Sequence, residues 1–346
     1  MRLLARRSIQ LILLISSLVP SSTLTADAVE PAALRSRGAA RGHTSNVFMS
    51  AHWPIDPVRA ERLLERGRLR ILATEHAGRG VTGARRVDLA LLEPRIRITA
   101  KWKPSTRRLD AFNNSPRREI AAYEVQKLFL DPRDYVIPTS RLRCLRPGEF
   151  AGGRRIRETT VRGANCRIGV LSIWLQSVTL PDEILDRERF LRRPDYARRL
   201  ADFNLAMYLI EHADGRRGNF LISAHGLPPR VFSVDNGVSF GGFLYNWFVP
   251  NWKKLRVPAL REASIDRLRR LTHADVERLG VVGQLEWRRP GHLVNVPHTR
   301  NLDPEEGVRL EGGTIQIGLD EDEIEDLWRR IEHLRDAVDQ GRVDVF

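Results

Sequence analysis

The chain has 346 residues, 42% of them hydrophobic and 29% charged, a globular composition with enough apolar material for a sizeable core. Its formal charge of +14 is almost all arginine, since the lysines are confined to Lys101, Lys103, Lys127, Lys253 and Lys254. The excess is spread along the chain without dense basic runs or interleaved aromatics, which argues against a nucleic-acid module.

Arg2, Arg6 and Arg7 precede an apolar stretch, Leu11 to Val19, and a small-x-small site, Ala26-Asp27-Ala28. This pattern predicts a secretory signal peptide over 1–28, cleaved after Ala28, and a secreted or periplasmic protein. The apolar run is short of the roughly 20 residues a spanning anchor needs, so no stable membrane anchor is expected. Residues 29–46 are small, polar and Arg-rich and read as a disordered lead-in. In an oxidising compartment Cys144 and Cys166 either form one disulfide or remain as buried thiols.

Arg59 to Arg66 reads as a short helix ended by Gly67. Strand patterns follow at Arg68 to Thr74, Val87 to Leu92 and Ile96 to Trp102, with Gly78, Gly80 and Gly83 in the turn after the first. Residues 117–130 read as an amphipathic helix with Ile120, Tyr123 and Leu128 on one face. Tyr135 to Ser140 starts another strand, Arg146 to Gly169 is a loop or hairpin, and Gly169 to Ser177 is a buried strand. Tyr196 to His212 reads as a mostly buried helix. Phe220 to Ser223 and Val231 to Val234 flank the turn 224–229 as a hairpin. Asp320 and Glu323 form a capping box for a last helix, whose acidic first turn reads as a solvated face matched to the helix dipole. Strict βαβ alternation is absent, which argues against a doubly wound sheet. The order predicts an α+β, two-lobed fold: a β-rich lobe over 47–178, a mainly helical lobe over 179–346, and helical scaffold in the last 80 or so residues.

The strongest chemical signal is His212-Ala-Asp214-Gly-Arg-Arg-Gly-Asn219, followed by the hairpin and Val234-Asp235-Asn236-Gly237. Asp214 and Asn219 have the Asp-x4-Asn spacing of a kinase catalytic loop. Phosphoryl transfer needs a carboxylate to orient the incoming hydroxyl, here Asp214, and oxygen ligands for a divalent cation, here Asp235 and Asn219. Each turn taken alone is an ordinary Asp-Gly or Asn-Gly turn; their fixed order after a buried helix is what points to chemistry. Upstream, Lys101 and Lys103 share one strand face, and either can reach nucleotide phosphates. Glu119 opens the next helix, placed to pair with a lysine or help hold metal. Gly78, Gly80 and Gly83 lie where a phosphate-covering loop would be. Trp174 to Ser177 is placed as the adenine-side connection between lobes.

The runs KWKP, REIAAYEVQKLF, VIPTS and SVDNGVSFG make the chain, over roughly residues 68 to 265, resemble the atypical secretory-pathway kinases, a group that includes the Golgi casein kinase and the xylose kinase of proteoglycan synthesis. The Asp-Asn-Gly block is also similar to that of type II phosphatidylinositol 4-kinases. The resemblance implies a protein-kinase-like fold using ATP with Mn²⁺ or Mg²⁺. It also implies Lys103 as the phosphate-contacting lysine, Glu119 beside the metal, Asp214 as catalytic aspartate and Asp235 as metal ligand. The family's usual Asp-Arg-His is Asp214-Gly215-Arg216 here, and the cysteine-rich framework of its animal members is missing. The expected partners are a nucleotide and a hydroxyl-bearing acceptor on a protein, glycan or lipid. A secreted pseudokinase acting as a binding protein, a lipid kinase and a nucleotidyltransferase on the same fold are the alternatives.

Overall fold

The computed structural model describes residues 51–346 apart from 78–82, 112–113, 152–159, 184, 216 and 242–255. The expected signal peptide, the lead-in, and Gly78 and Gly80 of the glycine turn therefore lie outside the described residues.

Helix α1 (Pro57–Arg66) opens on Asp56, whose side chain accepts from the Arg59 N–H at 3.0 Å. Gly67 ends it at a place where a Cβ would stand 2.4 Å from the Leu63 carbonyl oxygen. Strands β1 (Leu69–His76), β2 (Arg85–Leu92) and β3 (Arg95–Pro104) follow as an antiparallel meander. After helix α2 (Pro116–Gln126), strands β4 (Ser140–Leu145) and β5 (Arg167–Ile173) complete one antiparallel sheet in the order β1-β2-β3-β5-β4. Both cysteines are buried and bridge β4 to β5, with Cα atoms 5.5 Å apart.

Two expectations in this half are corrected by one residue. Helix α2 ends at Gln126 rather than at 130, and Tyr135 to Pro138 is not strand. The Gln126 side chain donates to Ile137 O at 2.9 Å and accepts from the Val136 and Ile137 N–H groups at 2.8 and 2.9 Å. It satisfies the backbone that a neighbouring strand would otherwise pair, and Pro138 has no N–H to offer a ladder. Nor is α2 amphipathic: Arg117, Glu119, Ile120, Tyr123 and Gln126 are all buried.

Beyond β5 come β6 (Val178–Thr179), α3 (Arg187–Arg192), α4 (Pro194–Leu209) and the hairpin β7 (Phe220–Ser223) and β8 (Val231–Ser233). Strands β6, β7 and β8 make a small sheet in that order. The chain continues through β9 (Ala259–Leu260), α5 (Glu262–Arg269), α6 (His273–Glu277), β10 (Gly283–Arg289), β11 (His292–Asn295), β12 (Val308–Glu311), β13 (Thr314–Ile317), α7 (Glu321–Asp339) and β14 (Asp344–Val345).

The C-terminal region is therefore not helical scaffold alone. Strands β10 to β13 form a four-stranded antiparallel sheet, order β11-β10-β13-β12. That sheet returns to the first half of the molecule: Asn295 donates to Leu142 O on β4 at 2.9 Å, and a Cβ at Gly283 would lie 2.9 Å from the Leu142 side chain. An otherwise open edge of the five-stranded sheet is covered in this way. Among the described residues no helix is long and apolar enough to cross a membrane.

The disulfide spans 22 residues, and closing a loop of that size is worth about 3 kcal/mol. Cys166→Ala is expected to lose that much in a urea melt, and reductant should weaken the wild type while leaving the variant unchanged. A variant as stable as the oxidised wild type would show that the bridge contributes nothing.

Candidate active site

Strand β3 alternates. Ile98, Ala100 and Trp102 are buried on one face, and Thr99, Lys101 and Lys103 point to the other. Trp102 is packed so closely over Gly169 of β5 that a Cβ there would meet its ring at 2.7 Å. The opposing Lys101 and Lys103 stand in register with Ser172 and Val170 of β5.

Helix α2 brings the first carboxylate. Ser115 caps it, Pro116 fixes its first turn, and Asn114 donates to Pro104 O at 2.8 Å, drawing the helix start back onto the end of β3. Glu119 in that first turn receives Lys101 Nζ at 3.4 Å and Lys103 Nζ at 3.2 Å, one on each carboxylate oxygen.

The second carboxylate comes from the turn after β8. Asp235 adopts φ +62, a left-handed conformation that aspartate tolerates better than most residues. Two bonds shape the turn, Ser233 Oγ to Asn236 Oδ1 at 2.6 Å and Ser239 N to Asn236 O at 3.1 Å. Asp235 Oδ1 accepts from Lys103 at 2.5 Å and Lys101 at 3.2 Å. Gly237 lies close against the knot: a Cβ there would stand 3.1 Å from Lys103 Nζ and 3.3 Å from Glu119 Oε2, a tight fit.

These four groups neutralise one another in a largely buried knot. Burial opposes the Lys103 charge, but Glu119 and Asp235 outweigh it and hold the ammonium above the ordinary lysine range. Burial likewise opposes the Asp235 charge, and Lys101 with Lys103 outweighs it, holding that carboxyl below the usual carboxylate range. The lysines differ in depth: the Lys101 side chain is 15% exposed and Lys103 only 3%.

The loop between α4 and β7 lies against this knot. Asn219 Nδ2 donates to Asp214 Oδ2 at 2.7 Å and to Asp214 O at 3.0 Å, so the expected Asp-x4-Asn pair is in contact. Val234 N donates to Asn219 O at 2.9 Å and Phe240 N to Ile210 O at 2.8 Å, tying the Asp235 turn to both ends of the loop. His212 is fully buried beside Phe220, with neither ring nitrogen hydrogen-bonded within the described residues. Burial pushes its pKa down to about 4 against the pull of Asp214, Asp235 and Glu119, and the ring is neutral at pH 7.

A cavity of about 710 Å³ opens from the knot. Its polar end carries Lys101, Glu119, Asn219 and Asp235, and its other walls include Ile173, Trp174, Leu175 and Leu221. Asp214 and Lys103 are not on its lining, though each is bonded to a residue that is. Ala77 and Ala84, which flank the glycine turn, line the rim and are joined by an N–H to O bond of 3.2 Å. Gly83 there has φ +70. The linker after β5 is pinned on two sides: Trp174 N donates to Thr99 O at 3.1 Å and Gln176 N to His52 O at 3.0 Å. Arg86 lies 5.6 Å from the Trp174 ring centroid. His52 on the segment before α1 had no motif to announce it; its contacts depend on chain separated from it by more than a hundred residues.

Asp235 and Asn219, both on the cavity lining, carry carboxylate and amide oxygens, the donor types that suit a hard divalent cation. Among the described residues no three His, Cys, Asp or Glu side chains gather as a metal site. Glu119, with a lysine on each oxygen, stands here as a lysine anchor.

No family model matches the chain, and no curated protein matches it. A solved structure, the Golgi casein kinase with Mn and ADP bound, is similar over 65% of this chain and 66% of that one, with 13% identity and a TM-score of 0.41. The match thus spans just under two thirds of that protein's length, and a superposition this loose carries no argument about activity.

His212 makes the site pH-sensitive. It takes up a proton near pH 6.5 when unfolded and near 4 when folded, a gap worth about 3 kcal/mol. The unfolded state binds the extra proton, so this stability is complete above pH 6.5 and drains away as pH falls toward 4. Unfolding free energies measured at pH 7 and 4.5 should converge on lowering pH for His212→Leu relative to wild type. Equal pH slopes would contradict a neutral buried ring.

Proposed function

We propose that the chain is an exported, metal-dependent kinase that moves the γ-phosphate of ATP to a hydroxyl on a protein or sugar. The observation that carries this reading is the cavity's polarity. Its walls include aromatic and apolar side chains and its far end is a lysine–carboxylate knot, which matches a flat base joined to a polyanion. Export rests on the leader pattern and is supported by the Cys144–Cys166 bridge, a bond at home in oxidising compartments.

In this reading Lys101, the lysine on the cavity wall, receives the phosphates. Lys103 keeps Glu119 and Asp235 together from behind. Asp235 and Asn219 would hold Mg²⁺ or Mn²⁺, whose bound charge would offset that of the phosphates. Asp214, oriented by Asn219, takes the proton of the acceptor hydroxyl. The acceptor oxygen bonds to the γ-phosphorus, the bond from that phosphorus to the bridging oxygen breaks, and ADP leaves with the electron pair.

A binding protein without turnover is the second reading. What favours it is that Glu119 and Asp235 are already paired with lysines, so a cation has to compete for Asp235.

The test is a thermal shift with ATP and Mg²⁺ or Mn²⁺. Ligand at about 100 times its dissociation constant stabilises by about 2.7 kcal/mol. Asp235→Ala and Lys101→Met should abolish the shift, whereas Lys103→Met should lower stability by about 3 kcal/mol before any ligand is added. With acceptor present, Asp214→Asn should cut turnover by about 100-fold or more. No shift with any nucleotide and metal would sink the kinase reading; a shift without turnover would leave the binding protein.

A further inference from the structure

Helix α7 reaches both halves of the site. Arg117 and Arg118, directly before Glu119, converge on Glu323 in its first turn. Arg118 Nε donates to Glu323 Oε1 at 2.7 Å, and Arg117 Nη1 pairs with the other oxygen. Arg117 also meets Asp110 at 2.7 Å, Asp320 at 3.3 Å and Gly318 O at 3.3 Å. Gly307 makes room for it, since a Cβ there would strike the guanidinium at 2.5 Å.

Seven residues along the same helix, Arg330 grips the other half. Its Nε donates to Leu209 O at 3.0 Å and its Nη1 to Glu211 Oε2 at 3.4 Å, while Tyr208 Oη donates to Arg330 O at 3.2 Å. Leu209 and Glu211 lead directly into His212 and Asp214. Two helical turns, about 10.5 Å, separate the grips, and Leu327, fully buried, fixes the helix between them.

We infer that α7 is a splint that sets the spacing of the Glu119 helix and the Asp214 loop, with Glu323 and Arg330 as positioning residues. Neither touches the cavity. Glu323 acts through the start of α2 on Glu119 and the lysines that would meet phosphate. Arg330 acts through the end of α4 on the loop that would meet the acceptor. The functional side of the inference rests on the kinase reading, and the splint itself does not.

The test compares Glu323→Gln and Arg330→Gln with wild type, using titration calorimetry with ATP–Mg²⁺ and with adenosine, and turnover where an acceptor is known. Glu323→Gln should weaken ATP–Mg²⁺ by about fivefold or more, with adenosine within about twofold, because only the phosphates use the lysines. Arg330→Gln should lower turnover by about fivefold with ATP affinity within about twofold. General destabilisation would move adenosine and ATP together, and that parallel loss, or wild-type values in both variants, would overturn the functional inference. If the wild type binds neither ligand, the kinase reading fails by itself and amide hydrogen exchange decides the splint. Glu323→Gln should speed exchange in 117–126 and Arg330→Gln in 208–214. Unchanged exchange in both segments, or an equal rise over the whole chain, would overturn it.

Discussion

The structure turns on one buried constraint: two lysines and two carboxylates must meet. Lys101 and Lys103 come from one strand, Glu119 from a helix, and Asp235 from a turn more than a hundred residues later. Leaving any one of them without its partners would strand a charge away from water, at a cost of several kcal/mol. The surrounding architecture is arranged to prevent that. The close approach of β3 to β5 needs Gly169 under Trp102, the start of α2 uses Ser115 and Asn114, and the carboxylate turn holds Asp235 in a left-handed conformation two residues before Gly237.

Such a knot differs from an ordinary structural ion pair because one end is wet. Lys103 is sealed between Glu119 and Asp235, its side chain only 3% exposed. Lys101 lies at the boundary, its side chain 15% exposed and on the cavity wall. The buried His212 is neutral and so adds no third cation beside the two lysines.

Much of this was legible in the sequence where the physics is local. Alternation along β3, the cap at Asp320 and the hairpin around 224–229 follow from nearest neighbours, whereas the order Lys103, Glu119, Asp214, Asp235 was read from motif spacing and family resemblance. Spacing placed both lysines on one face, but their depth depends on α2 and β5 and could not be read from β3. The segment Tyr135 to Pro138 misled because its apolar pattern is strand-like while its hydrogen bonds go to a glutamine side chain. The β10–β13 sheet was missed because its short strands are broken by polar turns, and their partners include β4, far upstream. The sequence left Cys144 and Cys166 as either a bridge or two buried thiols; the fold brings Cys166, just before β5, within 5.5 Å of Cys144 on β4, Cα to Cα, and they are bridged.

Glu323 shows why the local reading can be right and still incomplete. It closes the capping box of α7 through the Asp320 N–H at 3.1 Å, as its position three residues after Asp320 implies. The same carboxylate is buried and takes two arginines from the start of α2, so an acidic first turn that looked solvated is in part an internal electrostatic joint. A cap stabilises the end of one helix; a cap shared with two cations on another helix also fixes the distance between them. With Arg330 holding the end of α4 from the same helix, the C-terminal segment contributes geometry to a site whose reacting groups all lie upstream of it. Selection on such a helix would act through spacing rather than contact, and for that reason no catalytic motif marks it.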